Sequence, residues 1–440
     1  MLQTVLHNPT TEPEEGQIAR FTLKNGLQIV LLKSHAAPLV AIDLWYRVGS
    51  RNETPGKSGF AHLFEHMMFQ GSENVGKSEH MKLVADVGGT MNGSTSKDRT
   101  NYYEVMPSNQ LKLALWLEAD RMRSLALTQD NFENQRDTVK EERKSHVDNA
   151  PYGLAFLMLD DLAYENWSYK HSVIGSMDDL DGANLQDVVD FHQRFYCPNN
   201  AILAIAGDME ILPTLQLVRE QFESIATGNT PPVPELAEPE QTAEKRRIWY
   251  DQFAPLPAWI CAYHVPKKGT AEHYALELAE KMLFDGESSR LYRRLVQEEQ
   301  LLVHLYGGLD NKHGPGTLIM FAQLKPDVSA AQIEAVIADE LAILLREEIL
   351  PRELQKIKNQ FKMEFVSKLE KVYYKTEMLC YYTMVFDDPA LIYNELDRYD
   401  KVSEADIKRA VQTYLKPENR SIVEVFPATE TSKNEYVPNV

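Results

Sequence analysis

The sequence predicts an α+β fold with two tandem related domains, each a mostly antiparallel sheet covered by helices. In the first half, strands, one short helix, a strand pair and long helices follow one another, an order typical of this class. The second half repeats spaced residues of the first, and 440 residues are enough for two domains. We expect a first domain at 15–226, a linker at 227–245 and a degenerate copy at 246–440.

The first domain begins with two strands and a short helix. Residues 27–32 (LQIVLL) follow the turn pair Asn25-Gly26, and residues 39–48 are apolar, partly alternating and rich in β-formers. A loop then runs from Gly49 to Gly59. The helix is expected to begin at the end of this loop.

A strand pair and several long helices complete the first domain. Between residues 88 and 107, small residues together with Thr and Tyr predict two strands joined by a polar turn at 96–98. Helical patterns occupy residues 111–125, 130–147 and 185–194. We expect these helices to cover one face of the sheet.

The second half follows a Pro-rich, acidic segment at 227–245 that has no hydrophobic periodicity, as a linker does. Beyond it, residues of the first half return at nearly constant offsets. At 217 positions, Ala37, Pro38, Leu39, Ala41, Tyr46 and Val48 return as Ala254, Pro255, Leu256, Ala258, Tyr263 and Val265; at 215 positions, Leu63, Glu65, Met67, Phe69 and Gly71 return as Leu278, Glu280, Met282, Phe284 and Gly286. Chance identity within apolar segments is the alternative to duplication.

The short helix carries His62-Leu63-Phe64-Glu65-His66, two imidazoles four residues apart with a carboxylate between them. Positions i and i+4 share one helix face, so both histidines can bind one metal ion, and Glu65 can reach a water molecule beside it. The order His-x-x-Glu-His is the inverzincin motif. With 12 His and 65 Asp+Glu in the chain, chance predicts roughly 0.05 such matches. The alternative is a polar helix face with two solvated histidines.

The repeat of this helix lacks the metal ligands. His62 corresponds to Glu277 and His66 to Lys281. A lysine ammonium supplies a positive charge where an imidazole would supply a lone pair. The second copy is therefore expected to bind no metal.

The net charge of the chain indicates which kinds of molecule it is expected to bind. With 46 Lys+Arg against 65 Asp+Glu, the net charge is -19, which argues against nucleic acid and favours basic substrates. A soluble acidic surface is the alternative reason for this charge. The three cysteines, Cys197, Cys261 and Cys380, lie far apart and lack paired metal spacing, which predicts buried thiols without disulfides.

The sequence predicts neither an export signal nor a membrane span. The first 17 residues have no basic flank and no apolar run, and nowhere do eighteen uncharged apolar residues follow one another. The sequence does not fix the compartment: a soluble cytoplasmic chain and a mature form whose leader has been removed both agree with it.

These motifs resemble the pitrilysin family of zinc peptidases, which includes insulysin and the mitochondrial processing peptidase, in its short branch with two domains per chain. The similarity covers nearly the whole chain and implies one Zn²⁺ per chain, although Mn²⁺ or Co²⁺ could use the same ligands. The family's third ligand is a glutamate about 76 residues beyond the second histidine, which is Glu142 here. On a helix, Glu142 shares a stripe with Val139 and His146, whereas Glu141 lies about 100° away. Without the resemblance, a solvated acidic helix surface would be preferred.

The resemblance also implies roles around the metal. Glu65 would be the general base. The strand around residues 89–93 matches the family's edge strand, to which an extended peptide adds by main-chain hydrogen bonds. Asn92 resembles a side chain that helps to hold the peptide, with Gly93 beside it. A simple turn is the alternative for both residues.

The second half lacks the residues that grip substrate in active relatives. There, an arginine and a tyrosine seven residues apart follow the degenerate helix; the matching positions here are Val296 and Val303, and Arg290 and Tyr292 have the wrong spacing. The resemblance implies a zinc endopeptidase subunit that cleaves unfolded peptides in a heterodimer with a homologous subunit carrying the Arg/Tyr pair. Alternatives are a self-sufficient homodimer, an inert structural or assembly subunit, and a metal hydrolase acting on something other than peptides.

Overall fold

A computed structural model describes residues 5–434, which divide into two compact units, each built from three chain segments. The first unit runs to Lys140 and adds Val173–Pro234 and Glu364–Glu395; the second comprises Glu141–Ser172, Glu235–Met363 and the chain from Leu396. The sequence ranges 15–226, 227–245 and 246–440 stay a proposed division, and residues 435–440 lie outside the described chain.

The strands and helices are numbered in chain order. The strands are β1 Val5–His7, β2 Ile18–Thr22, β3 Gln28–Lys33, β4 Leu39–Tyr46, β5 Thr90–Thr95, β6 Thr100–Pro107, β7 Ala201–Gly207, β8 Lys245–Asp251, β9 Ala258–Val265, β10 Leu302–Asp310, β11 Gly316–Leu324 and β12 Arg420–Pro427. The helices are α1 Phe60–Met67, α2 Glu79–Asp86, α3 Leu111–Ser124, α4 Gln129–Arg143, α5 Gly153–Ala163, α6 Trp167–Lys170, α7 Met177–Gly182, α8 Leu185–Phe195, α9 Ile211–Phe222, α10 Ala271–Leu283, α11 Arg290–Tyr292, α12 Ala330–Arg346, α13 Pro351–Leu369, α14 Val372–Phe386, α15 Leu391–Asp400 and α16 Glu404–Tyr414.

The first unit contains a seven-stranded sheet in the order β1-β2-β3-β7-β4-β6-β5. The pairs β1/β2 and β3/β7 are parallel and the other pairs are antiparallel. The strand β5 lies at one edge of this sheet, so one side of its backbone can accept a further strand. The strand pair and polar turn predicted between residues 88 and 107 are β5 and β6 with their connection.

The second unit contains a five-stranded sheet in the order β10-β11-β9-β12-β8. This order matches β5-β6-β4-β7-β3, and each of the four pairs has the same polarity in both sheets. Tyr46 pairs with Ala201, the first residue of β7, and Tyr263 pairs with Arg420, the first residue of β12. Tyr46 and Tyr263 are therefore equivalent, as the offset of 217 predicted. The duplicated α+β fold is confirmed.

Helices cover both faces of the first sheet, which differs from the expectation of one covered face. Ile42 and Leu44 of β4 point into a core shared with α1, α3 and α9. The opposite face packs against α14, where the rings of Tyr103 and Tyr373 lie 4.0 Å apart. The central strands are apolar on both faces and need cover on both. In the second unit, α5 packs on β8, β9 and β12 in the same way.

The helix predicted at 130–147 ends as α4 at Arg143, and a π-helical turn, Lys144–Asp148, follows, in which Asn149 N donates to Lys144 O at 2.8 Å. The three cysteines are buried and unbridged, as predicted. Within residues 5–434, no helix has both the length and the apolar character needed to cross a membrane.

Candidate metal centre

The short helix α1 is fixed at its start by a glycine and a carboxylate. Gly59 adopts φ +85°, and a Cβ there would lie 2.7 Å from the carbonyl oxygen of Ile174, so a side chain at this position would be strained. Glu53 accepts hydrogen bonds from the amides of Gly59, at 3.0 Å, and Ala61, at 2.7 Å. These bonds satisfy amide groups at the helix start and set its direction.

The helix α1 buries one face and leaves the other partly exposed. Leu63, Phe64 and Met67 are at most 1% exposed in the core of the first unit. His62 and His66 are half-buried, and their ring centroids lie 4.8 Å apart. The amphipathic pattern therefore places the two imidazoles side by side on one face, as the spacing predicted.

Glu142 joins this pair from the last turn of α4. One ligand atom from each of His62, His66 and Glu142 lies within 4.8 Å of the other two. The helix α4 is anchored in the core of the first unit by Val139, which is fully buried.

The neighbouring glutamate points elsewhere. The side chain of Glu141 is 73% exposed and its Oε1 lies 2.7 Å from Lys144 Nζ. The side chain of Glu142 is 30% exposed, with Oε1 3.8 Å from Nδ1 of His146. Only Glu142 shares the cluster, which agrees with the helix phase predicted from the sequence; its role as a ligand stays a prediction.

Glu65 lies on the same helix and contacts the edge strand β5. Thr95 donates from Oγ1 to Glu65 Oε2 at 2.6 Å. A Cβ on Gly93 would lie 3.3 Å from Glu65 Cγ and 3.2 Å from Tyr102 Cδ1, so a larger residue would press on the carboxylate. Thr95 was not predictable from the sequence, because its contact with Glu65 depends on how α1 packs against β5.

Asn92 and Gly93 lie within β5, paired with Tyr103 and Tyr102 of β6, and not in a turn. The side chain of Asn92 is exposed, and its Oδ1 accepts a hydrogen bond from the amide of Gly93 at 2.9 Å. The strand that neighbours Glu65 is therefore an edge strand, as the resemblance implied. The roles of Asn92 and Gly93 in substrate binding stay predictions.

The donor set fits zinc. Two imidazole nitrogens and one carboxylate oxygen are the protein ligands of many catalytic zinc sites, which keep a fourth position for water or substrate. The cluster has no lysine or arginine among its three members and is partly open to solvent. Neutral imidazole and ionised carboxylate can therefore meet the charge of a divalent ion.

A second group of histidine and glutamates has similar composition but a different environment. His80, Glu104 and Glu118 are all buried, and their ligand atoms also lie within 4.8 Å of one another. His80 Nε2 lies 2.6 Å from Glu104 Oε1, and Arg121 Nε donates to Glu118 Oε2 at 2.9 Å. Because the Arg121 guanidinium already supplies the positive charge, we interpret this group as a closed ionic cluster within the core.

Burial shifts the pKa values of this closed cluster towards neutral forms. It raises the pKa of Glu104 and of Glu118 to about 7 and lowers the pKa of His80 to about 3. The cluster was not predictable from the sequence, because its three members are distant in sequence and become neighbours only through packing of α2, β6 and α3.

The helix α10 holds the equivalent position in the second unit and has a different polar group. Glu277, which replaces His62, accepts from Lys268 Nζ at 2.7 and 2.6 Å and from the hydroxyl of Tyr399. Burial opposes ionisation, yet the Lys268 ammonium holds the pKa of Glu277 well below its usual range. Lys281, which replaces His66, pairs with Asp285 at 2.6 Å. The second copy therefore has lysine ammonium groups at this helix, where the first copy has imidazoles.

The two valines at the positions of the missing Arg/Tyr pair lie in the second unit. Val296 packs partly buried against the core, and Val303 on β10 is 48% exposed. Arg290 is engaged elsewhere, because its Nε and Nη2 donate to Glu353 at 2.8 and 2.7 Å. The nearby arginine therefore does not replace the missing one in this structure.

Comparison with known proteins shows the family of the chain. Residues 28–176 match the family described as Insulinase (Peptidase family M16), and residues 182–361 match the Peptidase M16 inactive domain. The zinc protease PqqE of Helicobacter pylori is 34% identical over 352 residues, covering 79% of each chain. The uncharacterized zinc protease YmxG of Bacillus subtilis is 27% identical over 361 residues, covering 80% of this chain and 85% of that protein.

Solved structures give the same result. A protease from Helicobacter pylori has a TM-score of 0.89 and 31% identity, and the match covers 93% of this chain and 100% of that one. The first half of the periplasmic protease PqqL from Escherichia coli has a TM-score of 0.75 at 17% identity, covering 94% and 93%, while in full-length PqqL the match covers 48% of the chain. The chain belongs to peptidase family M16, and the resemblance predicted from the sequence is confirmed.

Proposed function

We propose that this chain is the metal-bearing subunit of a zinc endopeptidase that cleaves unfolded peptides. The observation that carries the proposal is the grouping of His62, His66 and Glu142 within 4.8 Å, with Glu65 on the same helix. The relatives named zinc proteases support zinc as the ion. We propose one Zn²⁺ per chain, and peptides as substrates because an edge strand lies beside the base.

In the proposed reaction, each residue near the metal site has a separate role. When bound, zinc would polarise the scissile carbonyl and lower the pKa of a water molecule towards roughly 7. Glu65 takes a proton from that water and later returns it to the leaving amine. Thr95 fixes the Glu65 carboxylate through its hydroxyl, at 2.6 Å. Gly93 leaves room for the carboxylate, and β5 aligns the peptide by main-chain hydrogen bonds, with Asn92 exposed beside it.

The partner follows from what the second unit lacks. A hydrogen-bond donor aimed at the developing oxyanion contributes roughly 2.7–4 kcal/mol in hydrolases, and neither Val296 nor Val303 can donate. We propose that a homologous subunit supplies an arginine and a tyrosine there. The match to the first half of PqqL, whose chain is about twice as long, supports an arrangement of two halves.

An inert structural or assembly subunit is the main alternative, and the match of residues 182–361 to an inactive domain favours it for the second half alone. A self-sufficient homodimer is a second alternative, and a non-peptide hydrolase a third. The complete donor set with its base argues for activity at the helix α1.

The test compares the purified chain alone, the chain with a candidate partner, and the variant Val296→Arg/Val303→Tyr. Zinc content is measured together with cleavage of a mixed peptide library. We expect zinc in all three, poor cleavage by the chain alone, and an increase of about 10²-fold or more with the partner or the restored pair. High turnover by the chain alone would reject the partner, and absence of zinc would reject the peptidase.

A further inference from the structure

A series of hydrogen bonds runs from Asp43 of β4 to β5, buried at Asp43 and part-buried at Ser94. The Asp43 side chain is fully buried. It accepts hydrogen bonds from Trp45 Nε1, at 2.9 Å, and from Asn101 Nδ2, at 2.8 Å. Both oxygens of this carboxylate are therefore fixed, and one of the two bonds leads towards the sheet edge.

Asn101 links Asp43 to Ser94 on the edge strand β5. Its Oδ1 accepts from Ser94 Oγ at 2.7 Å and from Arg99 Nη1 at 2.9 Å. Arg99 Nη1 also donates to the backbone carbonyl of Ser94 at 2.8 Å, and the guanidinium carbon lies 4.8 Å from the Trp45 ring centroid. Ser94 is thus held through both its hydroxyl and its main chain.

The series acts on the face of β5 opposite to the base. Ser94 pairs with Asn101, and Asn101 pairs with Trp45, so these side chains lie on one face of the sheet. The neighbours Gly93 and Thr95 lie on the other face, which meets Glu65. One six-residue strand is therefore fixed from one side at the point where its other side orients the base.

The second unit shows that the fold does not need this series. Because Tyr46 and Tyr263 are equivalent, the strand registers identify the counterparts of Asp43, Trp45, Asn101 and Ser94. These counterparts are Ile260, Ala262, Ile319 and Gly308. The same sheet thus forms with apolar residues and a glycine, and the polar series occurs in the unit that carries the histidines.

Burying the Asp43 carboxylate costs free energy of folding. Burial raises the pKa of Asp43 to about 7, although Asn101, Trp45 and the nearby Arg99 favour the ionised form. Glu377 of α14 adds a repulsive charge. An apolar residue such as the equivalent Ile260 would avoid this cost, so the carboxylate needs a reason beyond the stability of the sheet.

We propose that Asp43, Asn101 and Arg99 are positioning residues that fix the edge strand β5 so that a peptide can add to it beside Glu65. An edge strand paired on one side only is prone to local opening, which would misplace Thr95 and the peptide together. The peptide part of this inference rests on the proposed function, whereas the fixing of β5 does not.

The test exchanges the two members of the buried pair. In Asp43→Asn, an amide would face the amide of Asn101, and in Asn101→Asp two carboxylates would meet. The double variant Asp43→Asn/Asn101→Asp can form every bond again, with donor and acceptor reversed only in the bond between residues 43 and 101. Ser94→Ala removes the two hydrogen bonds of the Ser94 hydroxyl, one donated to Asn101 and one accepted from Arg99, and leaves the pair Asp43–Asn101. Asn25→Asp is the control, because Asn25 is a buried amide bonded to Phe222 O at 2.7 Å, away from β5.

Hydrogen exchange of residues 90–95, zinc content, and kcat and KM for peptides are measured, with the partner subunit if hydrolysis requires it. The single variants should accelerate exchange in β5 about tenfold or more and raise KM about tenfold at unchanged zinc content. The double variant should return both within about threefold. Ser94→Ala should act in the same direction, and Asn25→Asp should leave β5 exchange and KM unchanged.

Unchanged exchange of β5 in Ser94→Ala and in the folded single variants would overturn the proposal, and so would a double variant no better than the single ones. If no peptide is cleaved by any form, with or without a partner, the proposed function fails, while the exchange of β5 still decides whether the series fixes the strand. The two failures are therefore distinguishable.

Discussion

The helices α1 and α10 hold equivalent positions in two copies of one sheet, but they carry opposite kinds of polar group. The first presents His62 and His66, half-buried and joined by Glu142. The second presents Glu277, neutralised internally by Lys268 and bonded to Tyr399. Because both copies fold, the metal donors are not required by the architecture. This difference supports the proposed metal site at α1, whereas the Lys268–Glu277 pair at α10 is an internal ionic contact.

The largest expected effect concerns the proposed metal site on α1. Glu65→Gln removes the base but leaves the donors, so we expect full zinc content and peptide hydrolysis reduced about 10²–10⁴-fold or more. His66→Ala should lose zinc as well as activity. Both are assayed by metal analysis and peptide cleavage on one preparation, with the partner subunit if hydrolysis requires it. Substantial turnover by Glu65→Gln would mean that another group acts as base.

The second prediction concerns α10. Lys268→Met leaves Glu277 without its cation, and removing one partner of a buried pair costs about 3–5 kcal/mol of unfolding free energy. Zinc content should not change. The control Lys281→Met, which breaks an i,i+4 pair with the half-exposed Asp285, should cost about 1 kcal/mol or less. Denaturant unfolding measures both changes in unfolding free energy. Equal losses in the two variants would contradict the interpretation that Lys268 neutralises Glu277.

The same cluster predicts a dependence on pH. The pKa of Glu277 is lowered in the folded protein, so its stabilising contribution is fully present above the usual carboxyl range and is lost as the pH falls below it. The difference in unfolding free energy between wild type and Lys268→Met should therefore be larger near about pH 7 than near about pH 4.

Zinc itself should distinguish the two helices. An ion that binds only the folded state stabilises it by roughly 4 kcal/mol at 1,000 times its dissociation constant. We expect zinc to raise the unfolding temperature of the wild type and of Lys268→Met, but not of His62→Ala. A zinc-induced shift of equal size in His62→Ala would place the ion elsewhere.

The smallest expected effect tests which residue is the third metal ligand. Glu142→Gln should weaken zinc binding about tenfold or more, whereas Glu141→Gln should change it less than about twofold, because Glu141 points to solvent. Competition with a chromogenic chelator measures both affinities. The opposite result would move the ligand by one residue.

Features set by short-range pattern were predictable from the sequence. The strands β3 and β4, the helix α1 and the β5–β6 pair follow from periodicity and turn residues, and the histidine pair follows from helical spacing. Glu142 needed the family spacing, and helix phase then separated it from Glu141.

Features set by packing between distant segments were not predictable. The second face of the first sheet is covered by α14, which enters the first unit from residues 364–395. Asp43 is one carboxylate in an apolar strand, and its bonds to Asn101 appear only with the strand register. His80, Glu104 and Glu118 likewise meet only in the folded core.

The most direct test of the metal site is diffraction from crystals of protein purified without chelators, measured on both sides of the zinc absorption edge. We predict one anomalous peak per chain, about 2.0–2.2 Å from a nitrogen of His62, a nitrogen of His66 and an oxygen of Glu142. A peak at His80, Glu104 and Glu118, a peak at α10, or no peak after zinc is added would contradict the assignment.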